Sequence, residues 1–133
     1  GEITIPYQTS YSMSKSSLQR LTEGLRIELK QFAIDACTVL PGDTKTGFTS
    51  NRKTILNKNS PYKRNVERSI AKMEKDEQNG VSPNKVVKVI YKVIKRNRMP
   101  IQVVVGLDYK FLVFLSRVLP RRLVEYIITK MYG

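Results

Sequence analysis

Histidine and tryptophan are both absent from the 133 residues of this chain, and a single cysteine, Cys37, stands alone. Without imidazole there is no Ser–His–Asp or Cys–His nucleophile, no His-bearing zinc site and no imidazole base. One thiol cannot form an intramolecular disulfide or a Cys-only metal cluster. That fits a reducing compartment, so the expectation is a cytoplasmic protein without a metal. Long apolar runs are missing as well. The longest is Phe111–Leu115, far short of the ~18 residues that suggest a membrane-spanning helix. The opening residues, Gly1-Glu2-Ile3-Thr4, lack a charged-then-apolar pattern, and no signal peptide is expected. Any proton chemistry falls to Tyr, Lys or carboxylates.

Acidic residues are scarce: 11 Asp and Glu face 24 Lys and Arg, for a net charge of +13. The surplus is concentrated late, where Ser82–Gly133 holds eleven Lys and Arg against Asp108 and Glu125. Such a region can attract nucleic acid or anionic lipid. It can also be a solvated Lys-rich face, or draw a phosphorylated cofactor toward a cleft. Nucleic acid is disfavoured, because the Lys residues of 82–98 spread around the polar side of a helix and no Trp offers a stacking surface.

Apolar periodicity divides the chain. Leu18, Leu21, Leu25, Leu29 and Phe32 recur at helical spacing, predicting one helix over Ser12–Phe32 with its stripe turned inward. Ile34–Leu40 reads as a short buried strand stopped by Pro41-Gly42. Asp43–Ser60 is a polar loop, and a second helix runs from Pro61 to about Gln78, ending at Asn79-Gly80. The third helix has Ser82 as N-cap and Pro83 at its first position, where a missing N–H costs nothing. Its expected buried face is Val86, Val89, Ile90, Val93 and Ile94.

A second strand follows over Ile101–Val105, ended by Gly106. Tyr109–Leu119 and Arg121–Met131 are helical, separated by Pro120. Two strands joined by a helical crossover pair in parallel when adjacent. A parallel sheet is normally covered on both faces and has more than two strands. The inventory therefore reads as an incomplete α/β unit, with amphipathic helices that lack a surface to pack against.

Two short segments carry chemistry. Tyr11-Ser12-Met13-Ser14-Lys15 sets a phenol and an ammonium four residues apart, one above the other on a helix. With Tyr11 at zero on a helical wheel, Lys15 falls at about +40° and the Leu stripe within roughly −80° to 0°. The pair thus continues the face expected to turn inward. A free Tyr has a pKa of about 10 and is a poor base near neutrality. A neighbouring ammonium favours the phenolate, and a drier site strengthens that attraction. Such a Tyr can hand a proton to a carbonyl oxygen and take it back from an alcohol. The second segment, Pro41-Gly42-Asp43-Thr44-Lys45-Thr46, turns the chain at the carboxyl end of a strand, where open α/β sheets place their ligands.

Together these segments resemble the short-chain dehydrogenases/reductases, specifically their C-terminal half. Tyr11 and Lys15, with Ser12, Ser14, Ser16 and Ser17 around them, match the family's Tyr-x-x-x-Lys. Pro41 to Thr46 matches its Pro-Gly-x-(Val/Ile/Thr)-x-Thr turn, and Met13 departs from the commoner small residue. The resemblance implies an α/β fold, a partial Rossmann-like doubly wound parallel sheet of two strands with covering helices. Residues 1–133 would be the C-terminal part of one such domain, with 41–80 as substrate-binding loop and helix and 107–133 as C-terminal cap helices.

Its implied activity is hydride transfer between a nicotinamide, NAD or NADP, and a carbonyl or alcohol, with NADP favoured. Tyr11 would be the general acid/base and Lys15 its activator. Tyr11, Lys15, Pro41, Gly42, Thr44 and Thr46 would bind the cofactor, Lys15 through the nicotinamide ribose hydroxyls. Phe48 faces the substrate or anchors the loop. The final helices resemble extensions in reductases of bulky or lipid-like substrates, which leaves peripheral membrane contact open, and the Tyr11 helix often joins subunits in this family.

The family's Gly-rich phosphate turn and its catalytic Ser fall before Gly1, its central Asn has no counterpart, and Ser10 does not fill the Ser role. The piece alone is expected to be inactive and poorly folded. Tyr62, Tyr91 and Tyr109 lack a partner pattern and read as structural, and Asp35 as a surface residue. A basic membrane- or nucleic-acid-binding module and a non-catalytic scaffold are the alternatives.

Overall fold

A computed structural model describes residues 2–48, 51, 53, 57 and 59–132; much of the loop expected over Gly47–Ser60 lies outside them. Helix α1 spans Thr9–Glu28 and tightens into a 3₁₀ turn over Leu29–Phe32. Strand β1 (Thr38–Leu40) follows, then helices α2 (Lys63–Gln78) and α3 (Pro83–Ile94). Strand β2 (Gln102–Val104) leads into α4 (Leu107–Val118) and α5 (Arg121–Tyr132).

The strands pair in parallel, with Thr38 opposite Gln102, Val39 opposite Val103 and Leu40 opposite Val104. Helices α2 and α3 form the crossover between them, as a parallel connection requires. The fold is α/β: a partial Rossmann-like sheet whose two described strands are flanked by helices.

Element boundaries follow local chemistry. Ala33 takes the left-handed conformation (φ 55°) that closes the 3₁₀ turn, and the N–H of Ile34 donates back to the Leu29 carbonyl at 3.3 Å. Asn79 ends α2, its backbone N–H donating to the Lys75 carbonyl at 3.2 Å and its side-chain amide donating to the same oxygen at 2.8 Å. Ser82 is extended (ψ 145°) ahead of Pro83, which opens α3 as expected, although the serine hydroxyl makes no cap bond. Leu119 leaves helical geometry (ψ 146°) before Pro120, as the steric demand of the proline ring dictates.

Arg26, in the last turn of α1, holds the entrances of both strands. Its guanidinium donates to the carbonyls of Ala36 at 2.7 Å, Met99 at 2.6 Å and Pro100 at 3.5 Å, and pairs with Asp35 at 3.5 Å. A cation at a helix C-terminus also suits the dipole there. Beside it, burial pushes the Cys37 thiol above its ordinary value against the opposing pull of Arg26 and Arg96, so the thiol stays protonated.

The core departs from the periodicity reading. Among the described residues only Val93 and Val105 are buried apolar side chains. The Leu stripe of α1 faces out: Leu18, Leu21, Leu25 and Phe32 are exposed, while the buried positions are Ser12 and Gln19. On α3, Val93 is buried and Val86 and Val89 half-buried, but Ile90 and Ile94 are exposed. Strand β1 also shrinks from the expected Ile34–Leu40 to three residues, because its only described partner segment starts opposite Thr38 and Ile34 is exposed.

One cause underlies these differences. The stripes are apolar, but among the described residues no other segment covers them fully. The accessible surface is 10427 Å² for 15.3 kDa, where a compact monomer of that mass exposes roughly 7,100 Å². Among the described residues no helix is long and apolar enough to cross a membrane.

Candidate active site

Helix α1 and the carboxyl end of β1 meet around a cavity of about 770 Å³. Tyr11 lies in the first turn of α1 and lines this cavity together with Pro41, Gly42, Thr44, Thr46 and Phe48. The two segments singled out from sequence, thirty residues apart, therefore share one concavity. Lys15, one helical turn on, is outside the lining; its Nζ lies 5.2 Å from the centre of the Tyr11 ring. The pair is less enclosed than its place on the helical wheel suggested, with Tyr11 48% exposed and Lys15 also exposed. A second cavity, about 750 Å³ between residues 2–6, α1, the end of α4 and α5, contains none of the candidate residues.

The turn after β1 is held from the α2–α3 side. Thr44 bridges Val81 as a one-residue extension of parallel pairing: the Val81 N–H donates to the Asp43 carbonyl at 2.9 Å and the Lys45 N–H donates to the Val81 carbonyl at 3.0 Å. Gly80 permits this approach, since a Cβ there would run into the Asp43 carbonyl and come within 2.9 Å of the Thr44 nitrogen. The Thr44 hydroxyl makes only long bonds to its own turn, 3.4 Å to the carbonyls of Pro41 and Gly42. The Thr46 hydroxyl is engaged by the protein: it donates to the buried Glu77 carboxylate at 2.8 Å and accepts from the Phe48 N–H at 3.2 Å. Glu77 also accepts from the Phe48 N–H at 3.1 Å.

Two tyrosines were not singled out for this site. Tyr109, read as lacking a partner, donates its hydroxyl to the Asp43 carboxylate. Tyr132 lines the cavity and donates to Asp76 at 3.5 Å, and Asp76 in turn pairs with Lys72. Burial first, then the bond to Asp43, pushes the Tyr109 phenol well above its ordinary value. Burial and the charges of Asp76 and Asp43 push Tyr132 up to about 12. Both phenols keep their protons near neutrality and are unsuited to acid–base exchange. Elsewhere, Tyr62 faces the Tyr7 ring at 6.3 Å and Lys95 lies over Tyr91, while Asp35 is at the surface, as expected, beside Arg26.

Parallel strands joined by a helical crossover, with a cavity at their carboxyl ends, define a chain of the doubly wound α/β class. No family model matches the chain. It is 36% identical over 136 residues to the 3-ketodihydrosphingosine reductase of Bacteroides thetaiotaomicron, a match that takes in all of this chain and 51% of that relative. It is 29% identical over 120 residues to dehydrogenase/reductase SDR family member 7B of Xenopus laevis, covering 90% of this chain and 34% of the relative. A probable short-chain type dehydrogenase/reductase of Helicobacter pylori, VdlC, is 25% identical over 121 residues, with 90% and 45% covered. The chain belongs to the short-chain dehydrogenase/reductase family and corresponds to its C-terminal half. It spans about half the length, or less, of these curated relatives.

Proposed function

We propose that the complete protein is an NAD(P)-dependent oxidoreductase that interconverts a carbonyl and an alcohol, with Tyr11 as general acid/base and Lys15 as its activator. The observation that carries this reading is the shared cavity: Tyr11 and the Pro41-Gly42-Asp43-Thr44 turn line the same open cleft. The residues present fit a nicotinamide. About 770 Å³ falls within the ~300–1,000 Å³ of ligand sites, and the Thr44 hydroxyl, held only by long bonds, is available to a carboxamide or phosphate. Pro41, Gly42, Thr44 and Thr46 form the cofactor turn, Thr46 mainly by holding its shape through Glu77.

When bound, a nicotinamide would be the source or acceptor of the hydride. Tyr11 gives its proton to the carbonyl oxygen in reduction and recovers it in oxidation. Lys15, whose Nζ lies 5.2 Å from the ring centre, is the activating partner in this reading and, by family resemblance, would hold the ribose hydroxyls. The basic surplus of Ser82–Gly133 favours NADP over NAD by drawing in the extra phosphate.

The substrate we infer is bulky or lipid-like. Ile5, Tyr7, Phe48, Met73 and Tyr132 give the cavity an apolar wall, and one relative is named for reducing 3-ketodihydrosphingosine. In this reading residues 41–80 form the substrate loop and helix and 107–133 the cap. The 133-residue piece is inactive without the phosphate-binding half of the fold.

The test is turnover by the complete gene product, followed as nicotinamide absorbance with long-chain ketones and simple carbonyls. Tyr11→Phe is expected to lower kcat by a factor of about 10² to 10⁴. Undiminished turnover by the Phe variant would remove Tyr11 from the mechanism.

A further inference from the structure

The turn after β1 contains a weak point. From Asp43 onward it is tied to Val81 and Glu77. Between Leu40 and Asp43, however, the backbone passes through Pro41, which has no N–H to donate, and Gly42, which sits at φ +56°. Gly loses more conformational freedom on ordering than any other residue. Something else must hold it.

Tyr109 occupies that place. Its ring fills the volume where a Cβ of Gly42 would stand, and it lies 3.4 Å from the equivalent position at Gly106, which has φ +97°. These two glycines end the two parallel strands. One ring from the first turn of α4 is thus seated on both strand-end turns. Its hydroxyl reaches further along the first of them and donates to Asp43. Tyr109 itself is not part of the cavity wall, whereas Gly42, Asp43 and Thr44 are.

We infer that Tyr109 is a positioning residue for the cofactor turn: its ring and its bond to Asp43 preset Pro41–Thr44 in the shape that receives the nicotinamide. The inference rests on the oxidoreductase reading and extends it to a residue that touches neither cofactor nor substrate. Preorganisation of this kind acts on binding, because an untethered turn must be ordered when the ligand arrives. It leaves the proton transfer at Tyr11 alone. The signature is a change in cofactor affinity and cofactor KM without a matching change in kcat at saturation.

The experiment uses the complete gene product and titrates NADPH and NADH by fluorescence, with melting temperatures recorded in parallel. Tyr109→Phe keeps the ring on Gly42 and removes only the bond. It is expected to weaken cofactor binding about five- to tenfold, with kcat at saturating cofactor within about twofold and carbonyl KM likewise. Asp43→Ala should match Tyr109→Phe, and the double variant Tyr109→Phe with Asp43→Ala should be no worse than either alone. Unaltered affinity in Tyr109→Phe, or a lowered melting temperature with affinity intact, overturns the inference and leaves the oxidoreductase reading standing. An unaltered gene product that binds neither nucleotide sinks both.

Discussion

The turns at the carboxyl ends of β1 and β2 and the outer faces of α1 and α3 are built on opposite terms. Around the turns, nearly every polar group finds a partner supplied by this chain: Asp43 from Tyr109 and Val81, Thr46 and Phe48 from Glu77, Lys45 from Val81. On the helix faces Leu18, Leu21, Leu25, Ile90 and Ile94 stay exposed, their apolar surface only partly covered by the described residues. Hydrogen bonds reach about 3 Å and close within a few neighbouring segments, so a turn can be completed locally. Burial of a helical stripe needs an extended surface, at about 25 cal/mol for each Å² removed from water. The shape of the candidate site and the stability that sustains it therefore come from different places.

That separation makes its largest prediction for the chain on its own. With two buried apolar side chains among the described residues, the 133-residue piece is expected to show no cooperative thermal transition and to bind a hydrophobic dye strongly. The complete gene product should melt cooperatively and bind little dye. Calorimetry and dye fluorescence on both would decide it. A sharp melt of the piece, free of any partner, would mean that the uncovered faces are no handicap, and the contrast between the two regions would dissolve.

Arg26 sharpens the comparison from the other side, because it is a polar device doing a job of architecture. Its bonds to the carbonyls of Ala36 and Met99 join α1 to the starts of both strands. In the complete gene product Arg26→Met, which keeps much of the volume, is expected to lower unfolding stability by about 2–3 kcal/mol in urea titrations. Arg26→Lys should recover only part of this, since one ammonium cannot reproduce a fork aimed at several carbonyls. A loss under about 0.5 kcal/mol, the scale of an exposed ion pair, would show that water serves these carbonyls equally well.

What could be read from sequence follows the same divide. Tyr11 with Lys15, the Pro41-Gly42 turn, the Ser82-Pro83 helix start and the break at Pro120 each depend on neighbours a few residues apart, and each was legible. Parallel pairing followed from the helical crossover alone. Tyr109 on Asp43 and Thr46 on Glu77 join positions 66 and 31 residues apart, with no local pattern to announce them. The nearest signal lay in the glycines: Gly42 and Gly106 each end a strand, and an aromatic residue three positions after Gly106 is placed to cover both. Periodicity identified the Leu stripe correctly as apolar. It carried no information on whether this chain holds the surface that would cover it, so the inward orientation failed for α1 and for Ile90 and Ile94 on α3. The length of β1 was likewise decided by its partner, Gln102–Val104, rather than by its own β-forming residues.

Two half-buried phenols, Tyr109 and Tyr132, leave a smaller mark that shows only in alkali. Tyr132 releases its proton near pH 12 in the fold, and Tyr109 later still, whereas an unfolded tyrosine ionises near pH 10. Between those values the unfolded chain binds fewer protons than the folded one, so stability falls as pH rises. Their contribution is therefore complete below about pH 10 and is lost as pH climbs, through about 12 for Tyr132 and higher still for Tyr109. Absorbance of tyrosinate near 295 nm in the complete gene product should show a late-titrating fraction that Tyr132→Phe reduces. Melting temperature should fall less steeply above pH 10 in that variant than in the unaltered protein. Identical alkaline slopes would mean that Tyr132 is solvated in the whole protein, and that the close contacts of the turn region do not extend to α5.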